Sequence, residues 1–288
     1  MAIIVGDVHG NVEKVRAFLD YKPEDEHVAL GDYVDSFHEP QTRQIECLQL
    51  LLDSKAVMLW GNHDLNYILT PPWTCSGYQW HTEQPLQEIV QANQGRFLAA
   101  YSVDGWLLTH AGCHIRVAKH STNAIEIAAM LNKKMAAFLD RPTKFLLPNK
   151  TLPCPSMFNV SVVRGGDHRS GGIFWFDFQR EDGLANVKQI FGHTETPKPV
   201  VTPTYVALDT TNNKTHCWLY DTTTNELVCL DLPELKPKMQ NNEPGLIAEL
   251  PKDEQGPFTE YLMGKSAPFR GGYWQADYRR WKRDPNGW

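Results

Sequence analysis

At 288 residues, with net charge −6 and a pI near 6.0, the chain has room for one large α/β domain with a decorated edge, or two small ones. A hydrophobic fraction of 42% and an aromatic fraction of 11% exclude wholesale disorder, and the acidic balance excludes nucleic-acid binding driven by overall charge. No stretch approaches the roughly 18 consecutive apolar residues of a membrane span, so no membrane association is expected.

The opening apolar run breaks at Gly6-Asp7 with no basic residue before it, so no signal peptide is expected and the cytoplasm is the expected compartment. The six cysteines are scattered without a CxxC pair, which argues against a structural zinc knot and for reduced thiols.

Residues 2–5 read as a buried strand, and Val12, Val15, Phe18 and Leu19 follow at helical spacing. "HVALGD" is a second short strand. Ile45, Leu48 and Leu52 then mark one face of a helix, and "AVMLWGNHD" is a third strand ending in a polar turn. The β-α-β-α-β order predicts parallel strands with crossover helices. An aromatic loop at 71–80 is a candidate lid, and a helix is expected around 86–94. "WLLTHAG" repeats the strand-then-polar-turn theme, and a long helix follows with Ser121 or Thr122 as its expected cap. After a Pro-rich connection, "VVRGGDHRSGGIFWFDF" reads as a glycine-rich loop running into an aromatic strand. "VKQIFGHT", "YVALDT", "THCWLYD" and "ELVCLDL" then read as four strands of a second, largely antiparallel sheet. Composition shifts at about residue 233, giving expected units of 1–232 and a 233–288 linker with an aromatic, basic end. That end is the one segment with a nucleic-acid-binding composition, through base stacking, although folding back onto the domain is the preferred reading.

The chemistry-bearing residues sit where strands end. In order they are Asp7 and His9, Asp32 and Asp35, Asn62, His63 and Asp64, His110, and His193. Carboxylates and imidazoles with one amide oxygen suit divalent ions such as Mn, Fe or Zn. In an extended segment Asp7 and His9 point the same way and could grip one ion together. A carboxylate has two oxygens, so Asp32 could bridge two ions roughly 3.5–4 Å apart. Any one of these residues alone would read as an ordinary turn or cap; their recurrence at successive strand ends makes the case.

The blocks GDVHG, GDYVD, GNHD, THAG and FGHT, in this order over residues 6–194, resemble the signature of the calcineurin-like metallophosphoesterases, nearest their phosphoprotein-phosphatase-like bacterial and bacteriophage branch. The resemblance implies a two-sheet β-sandwich flanked by helices, in four α/β/β/α layers, and two divalent metal ions, with manganese first and Fe, Zn, Ni or Mg as alternatives. It assigns Asp7, His9 and Asp32 to the first metal, and Asp32, Asn62, His110 and His193 to the second. His63 matches the general acid and Asp35 the carboxylate that orients it. The implied reaction is attack of metal-activated hydroxide on a phosphomonoester of a protein or small molecule.

Two departures bear on substrate. Ser36 stands where the phosphatases of this family commonly carry arginine, and Glu195 stands where nuclease-type relatives have a second histidine. Arg164, or failing it Arg169, is the expected replacement phosphate ligand, together with Asn62. Hydrolysis of a dinucleoside polyphosphate or a 2′,3′-cyclic nucleotide is the alternative activity. A non-catalytic metal-binding scaffold is the alternative outside enzymes, disfavoured because a scaffold has no use for a leaving-group acid.

Overall fold

Strand β1 (Ala2–Val5) is buried along its whole length, and its alternating side chains serve two different layers. Ala2 and Ile4 face inward, joining Val28, Leu59, Trp106, Leu108, Ile190 and Val206 in an apolar layer. Ile3 and Val5 face the other way and pack with Val12, Val15 and Phe18 of helix α1 (Val12–Asp20). A strand covered on both faces must be apolar at every position, which is why β1 reads as an unbroken run.

The computed structural model describes residues 1–36, 38–68, 75, 83–140 and 155–233. One compact unit spans Met1–Pro233. The candidate lid at 71–80 (apart from Cys75), most of the Pro-rich connection and the C-terminal extension lie outside the described residues. No helix among the described residues is long and apolar enough to cross a membrane.

Two mixed sheets form the sandwich. In the first, β1 runs parallel to β2 (Glu26–Ala29), followed by β3 (Val57–Leu59) and β4 (Phe97–Leu98), also parallel. Strand β10 (His216–Asp221) joins the other edge of β1 antiparallel, and β11 (Glu226–Asp231) pairs with β10. In the second sheet, β5 (Tyr101–Val103) is antiparallel to β6 (Trp106–Leu108). Parallel neighbours β7 (Lys188–Phe191) and β9 (Tyr205–Ala207) follow, with β8 (Val200–Val201) antiparallel at the edge.

This corrects the expected grouping of the last four strands. Strands β7 and β9 belong to the second sheet as parallel neighbours, while β10 and β11 cross back to the first. Hydrophobic alternation reports burial of a face, not which sheet supplies the hydrogen bonds.

Helix α1 starts at Asn11, whose side-chain oxygen accepts the Lys14 N–H at 2.9 Å. Helix α2 (Gln41–Asp53) buries Gln44, Cys47, Leu48 and Leu51, a face rotated from the expected Ile45–Leu48–Leu52 stripe. Gln44 fixes that rotation: its Oε1 accepts the Asp35 N–H and its Nε2 donates to the Glu39 carbonyl. Helix α3 spans Glu83–Ala92 and α4 spans Ala124–Asp140. The cap of α4 is Asn123 rather than Ser121 or Thr122, because Asn123 Oδ1 accepts the N–H groups of Ile125 and Glu126.

The aromatic segment after Gly172 is a series of turns, not a strand. Trp175 and Phe176 both donate N–H groups to the Gly172 carbonyl, and Ile173, Phe174 and Phe176 are buried from within those turns. The cysteines described, Cys47, Cys75, Cys113, Cys217 and Cys229, are free thiols.

Candidate metal centre

Six parallel-running strand ends build the site, three from each sheet. Beyond β1, β2 and β3 lie Asp7 with His9, Asp32, and Asn62 with His63; beyond β6, β7 and β9 lie His110, His193 and Asp209. This is the edge where loops of parallel sheets converge on ligands.

Several of these turns are held in left-handed backbone. His9, Asp32, Asp35 and His193 have φ of 41°, 57°, 59° and 66°. Non-glycine residues there cost on the order of 1–3 kcal/mol each, a strain that clusters at functional sites. The His9 turn is stitched to the next strand end by its N–H, which donates to the Asp32 carbonyl at 2.9 Å. Asp7 and His9 therefore reach the site through a turn, not as the expected side-by-side pair of one extended segment. Two glycines make room: a Cβ on Gly61 would lie 2.1 Å from Asp32 Oδ1, and one on Gly192 would lie 2.0 Å from Asp7 Oδ1.

Asp32 is the hub. Its Oδ2 lies 3.6 Å from His9 Nε2, 3.4 Å from His110 Nε2 and 4.0 Å from His63 Nε2. His9, Asp32 and His63 bring donor atoms within 4.8 Å of one another, as do Asp32, His110 and His193. Asn62 Oδ1 lies 2.8 Å from both His110 Nε2 and His193 Nδ1, which places it in the second cluster. Asp7 lies in neither; both its oxygens accept the His193 N–H, tying the two sheets together.

The donor set fits cations. His9 Nδ1 lies 2.7 Å from the Val34 carbonyl and His110 Nδ1 3.0 Å from the Leu30 carbonyl. Carbonyls only accept, so each Nδ1 carries a proton and each Nε2 turns a lone pair inward. Asn62 Nδ2 donates to Cys75 Sγ, which leaves its Oδ1 facing the two imidazoles. In their neutral forms His9 Nε2 and His110 Nε2, with Asn62 Oδ1, thus turn lone pairs toward the same region as the Asp32 carboxylate, a donor set that suits a cation.

The same crowding of buried charge shifts the titration of these groups. Burial, then repulsion from Asp209 and Asp32, pushes the Asp7 carboxyl well above its ordinary range. Burial acts on Asp32 in the same sense, but His110, His63 and His9 together outweigh it and hold Asp32 well below. Burial lowers His110, yet Asp32 brings it above its usual value; burial, His110 and Arg164 drive His193 far down.

His63 Nδ1 lies 3.1 Å from Asp35 Oδ2. Asp35 also accepts from Asn66 Nδ2 at 2.7 Å and from the Tyr67 hydroxyl. Burial opposes a charged His63, but Asp32 and Asp35 overcome it and raise His63 to about 9. Asp64 sets the height of the neighbouring turns by accepting N–H groups from Asp32, Tyr33 and Gly61.

Arg164 ends a short 3₁₀ turn, Val162–Arg164, and reaches the centre. Its Nη2 donates to Thr194 Oγ1 at 2.7 Å, and Nε lies 3.1 Å from Asp177 Oδ2. Arg169 goes elsewhere, into a separate cleft with His114 and Arg180. Ser36 is buried, and its hydroxyl caps the next turn by accepting the His38 and Glu39 N–H groups.

Sequence reasoning passed over Asp209, Lys14, Thr194 and Asp177. Asp209 had the same signal as its neighbours, an apolar strand ending in an acid, in "YVALDT". Lys14 had none: it lies buried on α1, donating to the Thr210 carbonyl, with Asp209 and Asp7 opposing the burial that lowers it.

Among solved structures, the chain is similar to a cold-active protein-tyrosine phosphatase of a Shewanella species, at 14% identity over 81% of this chain and 80% of that one, with a TM-score of 0.49. A protein serine/threonine phosphatase of Saccharomyces cerevisiae is 12% identical over 82% and 80%, TM-score 0.43. A metallophosphoesterase from Sphaerobacter thermophilus is 14% identical over 81% and 88%, TM-score 0.36. No curated protein sequence matches the chain. The family model for calcineurin-like phosphoesterases matches residues 2–197, which include every strand-end residue above except Asp209. The matched span is more than half of the chain, which therefore belongs to the calcineurin-like phosphoesterases and is a hydrolase of phosphate esters.

Proposed function

We propose that the chain hydrolyses phosphomonoesters at a dinuclear centre, with His63 as the general acid. The observation that carries this reading is the His63–Asp35 pair set beside Asp32, with His63 Nε2 facing the hub. His9, Asp32, His110, His193 and Asn62 would hold the ions, with Asp7 completing the first site by a turn of its carboxylate away from the His193 N–H. Divalent cations, manganese first, supply activation of water and neutralisation of phosphate oxygens when bound.

The chain's own groups do the rest. Arg164, steadied by Thr194 and Asp177, pairs with the phosphate oxygens and orients the ester. Water attacks phosphorus, the P–O ester bond breaks, the departing alkoxide takes the proton from His63 Nε2, and the phosphate formed keeps the protons of the attacking water. Asp35 keeps Nδ1–H in place and stabilises the imidazolium before transfer.

Ser36 favours a second reading in which the substrate is a dinucleoside polyphosphate or a cyclic nucleotide, because its hydroxyl caps a turn and offers no charge to a phosphate. Turnover of p-nitrophenyl phosphate, a phosphopeptide, diadenosine tetraphosphate and a 2′,3′-cyclic nucleotide, compared with manganese present, tests both. The first reading expects the monoesters to be the best substrates by kcat/KM. Preference for the anhydride or the diester selects the second, and no turnover of any of them contradicts both.

A further inference from the structure

We propose that this chain has a second phosphate-binding site, separate from the metal centre, in the cleft floored by His114. The cleft has a volume of about 290 Å³ and is walled by Arg116, Arg169 and Arg180.

Its floor is an imidazole of fixed tautomer. His114 Nδ1 lies 3.1 Å from the Arg116 backbone nitrogen and accepts its N–H, so the ring proton sits on Nε2. The ring is buried, and Nε2 has no acceptor among the described residues. Gly183 packs against this end of the ring, where a Cβ would lie 2.6 Å from Nε2. Gly183 is held in that place by its carbonyl, which accepts the Ile115 N–H at 2.7 Å.

The walls are positive and largely uncommitted. Arg116 and Arg169 have no ion-pair partner among the described residues, and Arg180 keeps only a loose contact, 3.9 Å, with Asp177. The lining acids compete weakly. Glu181 is spent on the loop itself, accepting from Ser161 Oγ, the Gly171 N–H and the Asp177 N–H. Asp182 is exposed at the rim. Three guanidinium forks around one cleft match a phosphate's oxygens, and the fork geometry favours phosphate over a monovalent halide.

One loop serves both sites. The Val162–Arg164 turn sends Arg164 to Thr194 at the metal centre, while Val163 and Arg169 of the same loop line the cleft. Backbone bonds from the Val162 N–H to the His168 carbonyl and from the His168 N–H to the Val160 carbonyl hold the loop as one piece.

Calorimetric titration of inorganic phosphate into the full chain, with manganese and separately in EDTA, tests the site. A binding event that survives EDTA is expected, because no metal takes part. Arg116→Gln/Arg169→Gln should weaken it by about tenfold or more, the loss expected for charge-assisted hydrogen bonds. Arg164→Gln should leave it unchanged. Phenylphosphonate distinguishes the source: affinity equal to phosphate points to the free ion, and tighter binding to an ester-borne phosphate whose organic part rests on Val163. In the unaltered chain, phosphate in EDTA should also slow labelling of Arg116 and Arg169 by phenylglyoxal. No EDTA-resistant event, one that the double substitution leaves intact, or labelling that phosphate does not slow overturns the proposal. Loss of the metal-dependent activity alone bears on the metal centre and not on this site.

Discussion

His63 Nδ1 lies 3.1 Å from Asp35 Oδ2, and the same carboxylate is fixed from behind by Asn66 and Tyr67. The pair is aimed from a rigid base: Asp35 sits in left-handed backbone, and its own N–H donates to Gln44 of α2. Asp35→Asn keeps the shape and removes the charge. In metal-free protein the His63 imidazole, titrating at about 9, should then titrate lower by NMR. Turnover of a poor leaving group should fall by roughly ten- to a hundredfold, part of what general acid catalysis contributes, while metal content stays constant.

Stability should follow pH through the same histidine. His63 is raised in the folded protein from 6.5 to about 9. Its contribution is therefore fully present below pH 6.5 and is lost as pH rises through about 9. Urea unfolding in EDTA should show unaltered protein and His63→Gln drawing together over that interval. A gap that widens with rising pH would contradict the assignment.

Arg164 is held at the centre by Thr194 and Asp177, and its charge helps to depress His193. Arg164→Gln should lower kcat/KM by about ten- to a hundredfold, the range for a lost charge-assisted hydrogen bond to substrate. It should also raise the inhibition constant of phosphate at the metal centre. Thr194→Val should show a smaller loss of the same kind.

Gly192 separates the two sheets where Asp7 meets the His193 N–H. Gly192→Ala would put a Cβ 2.0 Å from Asp7 Oδ1 and so must displace the carboxylate. Reduced metal content and a thermal destabilisation of about 1–3 kcal/mol are expected. Gly95→Ala, with nothing within 4 Å, is the control and should be close to neutral.

The first half of the site was legible because one signal repeats. Apolar runs ending in glycine and a polar pair at Gly6-Asp7, Gly31-Asp32 and Gly61-Asn62 mark parallel strands whose ends share an edge. Sheet membership was not legible for β10 and β11, since "THCWLYD" shows the same alternation whichever neighbour it pairs with. Neither was the aromatic stretch after Gly172, whose side chains are buried from turns stabilised by backbone bonds to that glycine. Lys14 carries no signal in the sequence, being one lysine between the apolar positions Val12 and Val15. Only the fold places its ammonium beneath Thr210, near Asp7 and Asp209.

Asp32 links every part of the account, being common to both donor clusters and the hydrogen-bond acceptor for the His63 N–H. Metal analysis of purified Asp32→Asn, with p-nitrophenyl phosphate turnover in manganese, tests that role most directly. The account predicts that bound metal falls well below that of the unaltered chain and that turnover is abolished, with the thermal unfolding transition retained. Full metal content and undiminished turnover in Asp32→Asn would contradict it.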